Sequence, residues 1–265
     1  MGSATREALA RSVAALSAQG TKADLATAED LFAASKVLAD SAQLRAVISD
    51  ASADPQGKAA LAKQVFGRQL SAPATELLSV VAGQRWSGQK DVLAAIEELG
   101  IRAIAQSAPK GVDIAAELFA FGGAVTSDAQ LELALRSKLA DPAAKGALVD
   151  RLLNGRASAQ TAAIVRQLVV QPRGRGIREA LREATRVVAA QSDLTVATVY
   201  TAHPLPAAQL ERLQATLAGK YGKQLKLNEI VDRSLLGGVR VQIGDDVIDG
   251  SIASRINELR LQLAG

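Results

Sequence analysis

Apolar residues recur three and four positions apart through residues 4–192, a spacing that places them on one face of each of a series of α-helices. The same stretch is rich in Ala, Leu, Glu, Arg, Gln and Lys, which favour helix. Asp54-Pro55 marks a helix start, because an aspartate cap precedes a first-turn proline. Short breaks at 18–20 and 107–111 separate helices. The pattern therefore predicts a long, many-helix region.

The helical region contains an internal repeat. "LFAASKVLADSAQLRAV" at 31–47 resembles "LFAFGGAVTSDAQLELA" at 118–134, an offset of 87 residues. The same offset relates five further matches: Asp54-Pro55 with Asp141-Pro142, Lys58 with Lys145, Leu61 with Leu148, Ser71 with Ser158, and Gln84 with Gln171. After "RWSGQ" the offset falls by two, since Gln106-Ser107 then matches Gln191-Ser192. The sequence predicts two copies of one helical module, with a lead helix at 5–19 in the first copy only.

From about residue 193 the period of the pattern changes to two, and β-branched residues become frequent. The predicted elements are a strand at 194–202, a helix from Pro206 to about Gly219, strands at 224–231 and 238–244, a short return strand after Asp245-Asp246, and a helix at 251–263. A small sheet covered by two helices is expected here.

These patterns predict an α+β protein that is mostly helical, with two related helical bundle modules followed by a small C-terminal α/β sandwich. We expect an N-terminal helical bundle at 1–107, a second helical module at 112–192 and a C-terminal α+β domain at 193–265.

Composition narrows the chemistry. The 265 residues include no cysteine and one histidine, which excludes thiol catalysis, disulfides and multi-histidine metal sites. No apolar run approaches the roughly 20 residues that cross a bilayer, so any membrane link is expected to come through another protein. The 31 basic residues against 27 acidic ones leave nucleic-acid binding open as an alternative, although aromatics at 3% provide little surface for base stacking.

The run "LLGGVRVQIGDDVIDGSIASR" at 235–255 has the composition of a ligand site. However, Gly237-Gly238 precede a strand, whereas a dinucleotide fingerprint places its glycines between a strand and a helix. We therefore expect these glycines to allow a bulge or a tight strand entry. The aspartates do not have the spacing of a calcium loop and are expected in turn and capping positions. We predict no metal, no cofactor and no catalytic residue.

The same run, extended through "INELR", resembles the C-terminal signature of the delta subunit of F-type ATP synthase, the bacterial counterpart of the oligomycin-sensitivity-conferring protein. The matching features are Gly237-Gly238, the alternating valines that follow, Gly244-Asp245, and "IDGS" at 248–251 before a basic amphipathic helix. Residues 5–106 resemble the N-terminal bundle of that family. Residues 112–192 look like a second copy of the bundle, inserted before the sheet domain as in the long deltas of the high-GC Gram-positive lineage.

The resemblance implies a non-catalytic subunit of the peripheral stalk, or stator. It would link the N-terminal helices of alpha subunits, at the top of the catalytic head, to the C-terminal helices of the membrane-anchored b subunit. One copy per complex is expected, at the cytoplasmic face of the bacterial plasma membrane, without nucleic acid and without direct membrane insertion. The alternative from composition is a basic helical protein that binds RNA or DNA.

Three sets of site residues follow from these expectations. For the alpha-subunit helix, the family's groove lies between the first and last bundle helices, which here points to Leu9, Val13, Leu16, Val92, Ile96 and Leu99. For the b subunit, the final helix offers Ile252, Arg255, Ile256, Leu259, Arg260 and Leu263. Packing within the chain is the competing role for the apolar members of both sets. A face for an acidic partner, or an ordinary solvated face, is formed by Arg178, Arg182 and Arg186.

Overall fold

A computed structural model describes residues 2–137, 139–191, 194–221, 224–235, 237–243, 246–252 and 254. Contacts divide the chain into two compact units, Met1–Val188 and Ala189–Gly265. The helices of the first unit are α1 Ser3–Gln19, α2 Leu25–Asp40, α3 Ala42–Ser49, α4 Pro55–Phe66, α5 Ala72–Gly83, α6 Gln89–Gln106, α7 Ile114–Ser127, α8 Ala129–Arg136, α9 Pro142–Leu153, α10 Ala159–Val170 and α11 Ile177–Gln191. The predicted helical region is confirmed, and α1–α6 and α7–α11 are called the first and second modules below.

The two modules repeat one arrangement, because α7–α11 follow the order and lengths of α2–α6. A partly buried contact is also repeated. The Asp30 carboxylate accepts a hydrogen bond from the Ser71 N–H at 2.8 Å, and Glu117 accepts one from the Ser158 N–H at 3.0 Å. Each contact attaches one helix of a module to the start of another, and the partners are 41 residues apart in both modules. The predicted pair of related bundle modules is confirmed, while their separation into two domains remains a prediction.

Glu117 is the centre of a small polar network at the start of α10. Its carboxylate also accepts hydrogen bonds from the hydroxyls of Ser158, at 2.6 Å, and Thr161, at 2.5 Å. Burial acts to raise the pKa of Glu117, but the hydrogen bonds from Ser158 and Thr161 outweigh burial and hold the pKa below its usual value. The ionised carboxylate therefore stabilises the junction between α7 and α10.

Helix α1 has no counterpart in the second module and packs on α5 and α6. Its buried face carries Thr5, Ala8, Ser12 and Leu16, of which only Leu16 is large. The small residues allow α1 to lie close to its neighbours, and the Thr5 hydroxyl donates to Asp91 of α6 at 2.6 Å.

The second module contacts the first through α10, which packs on α2 and α6. Glu97 of α6 is 2% exposed and pairs with two arginines from the loop after α10. Arg175 Nη2 lies 2.7 and 3.0 Å from the two Glu97 carboxylate oxygens, and Arg173 Nε lies 3.0 Å from one of them. Arg175 also reaches Glu183 of α11 at 2.7 Å. We call these four residues the Glu97 cluster.

The second unit contains a four-stranded sheet. Its described elements are β1 Leu194–Thr201, α12 Ala207–Tyr221, β2 Gln224–Val231, β3 Gly238–Ile243 and β4 Asp246–Ser251. The strand order is β2-β1-β3-β4, with β1 and β2 parallel and the other pairs antiparallel. The predicted strands are confirmed. The predicted final helix lies almost wholly outside the described residues.

The paired glycines begin β3, as the sequence predicts. Gly237 and Gly238 have φ of 137° and 82°, which side-chain-bearing residues rarely adopt. A Cβ on Gly238 would lie 2.5 Å from the carbonyl oxygen of Gly250 in β4. The glycines therefore let two backbones approach closely at the edge of the sheet, and their predicted role in strand entry is confirmed.

Replacing Glu117 by Ala should lower the free energy of unfolding by about 1–3 kcal/mol at neutral pH, because three donors at the start of α10 lose their acceptor. The folded-state pKa of Glu117 is lowered, so its contribution is present above the unfolded pKa and disappears as the pH falls through the folded pKa. The difference from wild type, measured by urea unfolding, should therefore shrink in acid. The exposed Glu179→Ala variant is the control, and an equal loss in both variants would contradict the network's role.

Replacing Glu97 by Ala should cost about 3–5 kcal/mol, since two partly buried arginines would be left without their common carboxylate. Asp40→Ala is the matched control, because it breaks an exposed pair with Lys36 that we expect to contribute less than about 1 kcal/mol. Both values come from urea unfolding followed by circular dichroism. Equal stability of the two variants would show that the Glu97 cluster contributes no more than a surface ion pair.

Candidate functional site: a helix-docking groove

An open groove runs between the C-terminal half of α1 and the N-terminal half of α5. It has a volume of about 490 Å³. Its walls are mostly small or apolar, with polar groups from three side chains, and are formed by Ala15, Ala18, Gln19, Lys22, Ala72, Pro73, Glu76, Leu77 and Val80. We call this surface the docking groove.

The sequence explains why the groove stays open. Alanines at 15, 18 and 72 fill little of the space between the two helices. Gln19 holds the end of α1 against α5, because its side-chain amide donates to the Pro73 carbonyl at 3.1 Å. The Gln19 Oε1 atom is buried and has no hydrogen-bond partner among the described residues. The groove thus has a mostly apolar lining next to a buried side-chain acceptor.

The residues predicted for the alpha-subunit helix lie in two environments. Leu16 of α1 is buried in the bundle core. The predicted residues of α6 are buried there too, namely Val92, Ile96 and Leu99. Leu9 and Val13 are partly buried against the same core. The structure brings α1 and α6 together, and four of the six side chains already have their packing partners within the bundle.

The docking groove lies on the other flank of α1 from the predicted residues. Helical spacing places Ala15 and Ala18 on one side of the buried stripe of α1, and Leu9 and Val13 on the opposite side. The open surface is therefore formed with α5, whereas the predicted one involved α6.

The three predicted arginines of α11 share one exposed face. Arg178 Nη2 lies 3.3 Å from Glu132 of α8, and Arg186 Nη2 lies 4.0 Å from Glu183. Arg182, between them, is also exposed. The predicted strip exists as a surface, and two of its members already have a carboxylate neighbour.

The residues predicted for the b subunit fall mostly outside the described residues. Ile252 is described and is 47% exposed. The other five predicted residues lie outside the part of the chain that the structure describes, namely Arg255, Ile256, Leu259, Arg260 and Leu263. Just before them, Asp249 accepts a hydrogen bond from the Ser251 N–H at 2.9 Å, an ordinary turn contact.

Among the described residues, no group of three or more carboxylate or imidazole side chains is placed to hold a metal ion. No helix within the described ranges combines the length and the hydropathy that spanning a bilayer requires. The docking groove is an open concave surface of this part of the chain.

Glu97 is not among the residues predicted from the sequence, although its position carries a signal. Glu97 interrupts a second apolar stripe of α6, formed by Leu93, Ile101 and Ile104. A charged residue in such a stripe is usually paired when it is buried. Arginines in "PRGRG" at 172–176 were the available partners, but the pairing spans 76 and 78 residues and could not be read from local pattern.

Comparison with known proteins gives matches along the whole chain. "ATP synthase subunit delta" of Leifsonia xyli subsp. xyli is 73% identical over all of both chains. "ATP synthase subunit delta" of Streptomyces avermitilis is 42% identical over 98% of each chain. A chain of the cryo-EM structure of the Toxoplasma gondii mitochondrial ATP synthase hexamer aligns at 18% identity and a TM-score of 0.37, covering 62% of this chain and 95% of that one.

The family model described as ATP synthase delta (OSCP) subunit matches residues 101–263. That range holds the end of α6, the second module and the sheet unit, and it is more than half of the chain. The matched family and the two full-length relatives agree, and the chain belongs to the ATP synthase delta (OSCP) subunit family.

Proposed function

We propose that this chain joins the catalytic head of ATP synthase to the membrane-anchored stalk through two attachment points. Members of its family are non-catalytic subunits of the complex, and the comparisons give the nucleic-acid alternative no support. The first attachment is the N-terminal helix of an alpha subunit, and the second is the C-terminal helices of the b subunit. One copy per complex, at the cytoplasmic face of the bacterial plasma membrane, would hold the head still while proton flow drives the rotor.

The docking groove is the observation that carries the head attachment. An amphipathic helix binds a groove by inserting apolar side chains at helical spacing, and small alanine side chains in the walls allow close approach. Such a seam provides both affinity and stiffness without any chemical step. Lys22 and Glu76 supply opposite charges beside the apolar lining, which would favour one direction of the bound helix.

Leu9, Val13, Leu16, Val92, Ile96 and Leu99 support the same attachment from within the bundle. The four buried members hold α1 and α6 in place, and α1 forms one wall of the groove. The partly exposed Leu9 and Val13 remain candidates for a contact on the opposite flank of α1.

The stalk attachment is assigned to the C-terminal segment. Ile252, Arg255, Ile256, Leu259, Arg260 and Leu263 are proposed to contact the b subunit. Exposure of Ile252 is consistent with an apolar contact at the start of this segment. The face formed by Arg178, Arg182 and Arg186 is proposed as a further contact for an acidic stretch of a stalk or head subunit.

Val80→Arg should weaken binding of a peptide copying the alpha subunit's N-terminal helix by at least tenfold, because a charged side chain would enter the apolar lining. Val37→Arg is the matched control, since Val37 is 44% exposed on α2 and does not line the groove. Isothermal titration calorimetry gives both affinities. Unchanged binding to the Val80 variant would place the helix elsewhere.

The double variant Ile256→Asp and Leu259→Asp should uncouple ATP hydrolysis from proton pumping, because buried carboxylates would destabilise an apolar contact with the b subunit. Hydrolysis by the head should continue. Proton pumping and ATP hydrolysis are measured in membranes, and circular dichroism of the purified variant checks that helicity is retained. A folded variant that still supports coupled synthesis would argue against this contact.

A further inference from the structure

The repeat assigns a counterpart to the α5 wall of the docking groove. With the offset of 87 residues, Glu76 and Val80 of α5 correspond to Ala163 and Gln167 of α10. Glu76 is exposed and Val80 is half-buried, whereas Ala163 and Gln167 are each 6% exposed. The face that is open on α5 is therefore covered on α10.

The cover comes from the first module. In the first module, the matching face of α5 is bordered by α1. The second module has no helix equivalent to α1. On α10 its place is taken by α2 and α6, which contact α10 directly. A chain of hydrogen bonds marks the contact: Gln167 donates to Gln171 at 3.3 Å, and Gln171 donates to the Phe32 carbonyl of α2 at 3.5 Å.

The residues that fasten this contact are those at which the repeat breaks down. Trp86 of the first module is buried and donates to the Val81 carbonyl at 2.8 Å, within its own module. At the matching position the second module has Arg173, which has a φ of 51° and pairs with Glu97 of the other module. Glu97 in turn matches Arg182, which is exposed. The two copies have thus diverged where they meet.

We propose that the helix-accepting face of the second module is occupied by the first module of the same chain and is held there by the Glu97 cluster. The chain then accepts one alpha-subunit helix, in the docking groove, and the second module is a rigid extension of the first. The statement about the alpha helix rests on the proposed function, while the statement about the joint does not.

The charges at the joint favour a fixed geometry. Glu97 is almost fully buried and receives planar guanidinium groups from two arginines. Separating the modules would leave Glu97 and Arg173 without their partners and Arg175 with Glu183 alone. Helix α6 is consequently packed by its own module on one side and by α10 on the other. A joint of this kind transmits force between modules with little bending.

Distance measurement tests the joint without any partner. The chain has no cysteine, so spin labels can be placed on cysteines introduced at Lys63 of α4 and Arg151 of α9, both exposed. Double electron–electron resonance should give one narrow distance distribution. Glu97→Lys should broaden it, because three positive charges would then meet at the joint.

Glu98→Lys is the matched control, since Glu98 is the next residue of α6 and pairs within its own module with Arg102. It should leave the distribution narrow. A broad or double distribution in the unaltered chain, or no response to Glu97→Lys, would overturn the proposed joint.

The number of peptides bound per chain tests whether only one groove of the chain accepts a helix. The probe is a synthetic peptide copying the N-terminal helix of the alpha subunit from the same complex. Calorimetry should give one peptide per chain and an affinity at least tenfold weaker in Val80→Arg. In Gln167→Arg, the matching substitution on α10, the affinity should stay within about twofold of the original. Two peptides per chain, or a site removed by Gln167→Arg, would overturn the proposal. Failure of the peptide to bind the unaltered chain would count against the proposed function, while the distance measurement still decides the joint.

Discussion

In each helical module, one face of the penultimate helix is bordered by a helix from outside that module's own five repeated helices, and this cover governs the arrangement of the protein. In the first module α1 lies beside α5 and covers it incompletely, which leaves the docking groove. In the second module no lead helix exists, and α2 and α6 of the first module cover α10 instead. One requirement, the removal of apolar surface from water, thus produces both an open site and a closed joint.

The contact of α10 with α2 and α6 also affects how rigidly the two modules are connected. Half of the residues of α6 are buried, and the helix contacts both its own module and α10 of the second module. Its one fully buried carboxylate, Glu97, is neutralised by arginines of the neighbouring module. Packing and charge therefore favour the same relative position of the modules, as an adaptor that resists torque requires.

Local patterns sufficed for much of the fold. The helices, the module repeat, the strands and the glycine entry of β3 all follow from spacing, capping and backbone preference over short stretches. The open flank of α1 could not be predicted from such patterns. Leu9 and Val13 are more apolar than Ala15 and Ala18, so the pattern favoured them, whereas an open groove needs small residues as well as apolar ones. The partner of Glu97 depends on contacts between modules, which no local pattern encodes.

The central claim is that the first module alone receives the head while the second extends it. A cryo-EM reconstruction of the assembled complex tests this most directly. The account predicts density for one alpha-subunit helix between α1 and α5, with α10 covered by α2 and α6 of the same chain. A helix of another subunit lying on α10, or a docking groove left empty while the head is attached elsewhere, would contradict it.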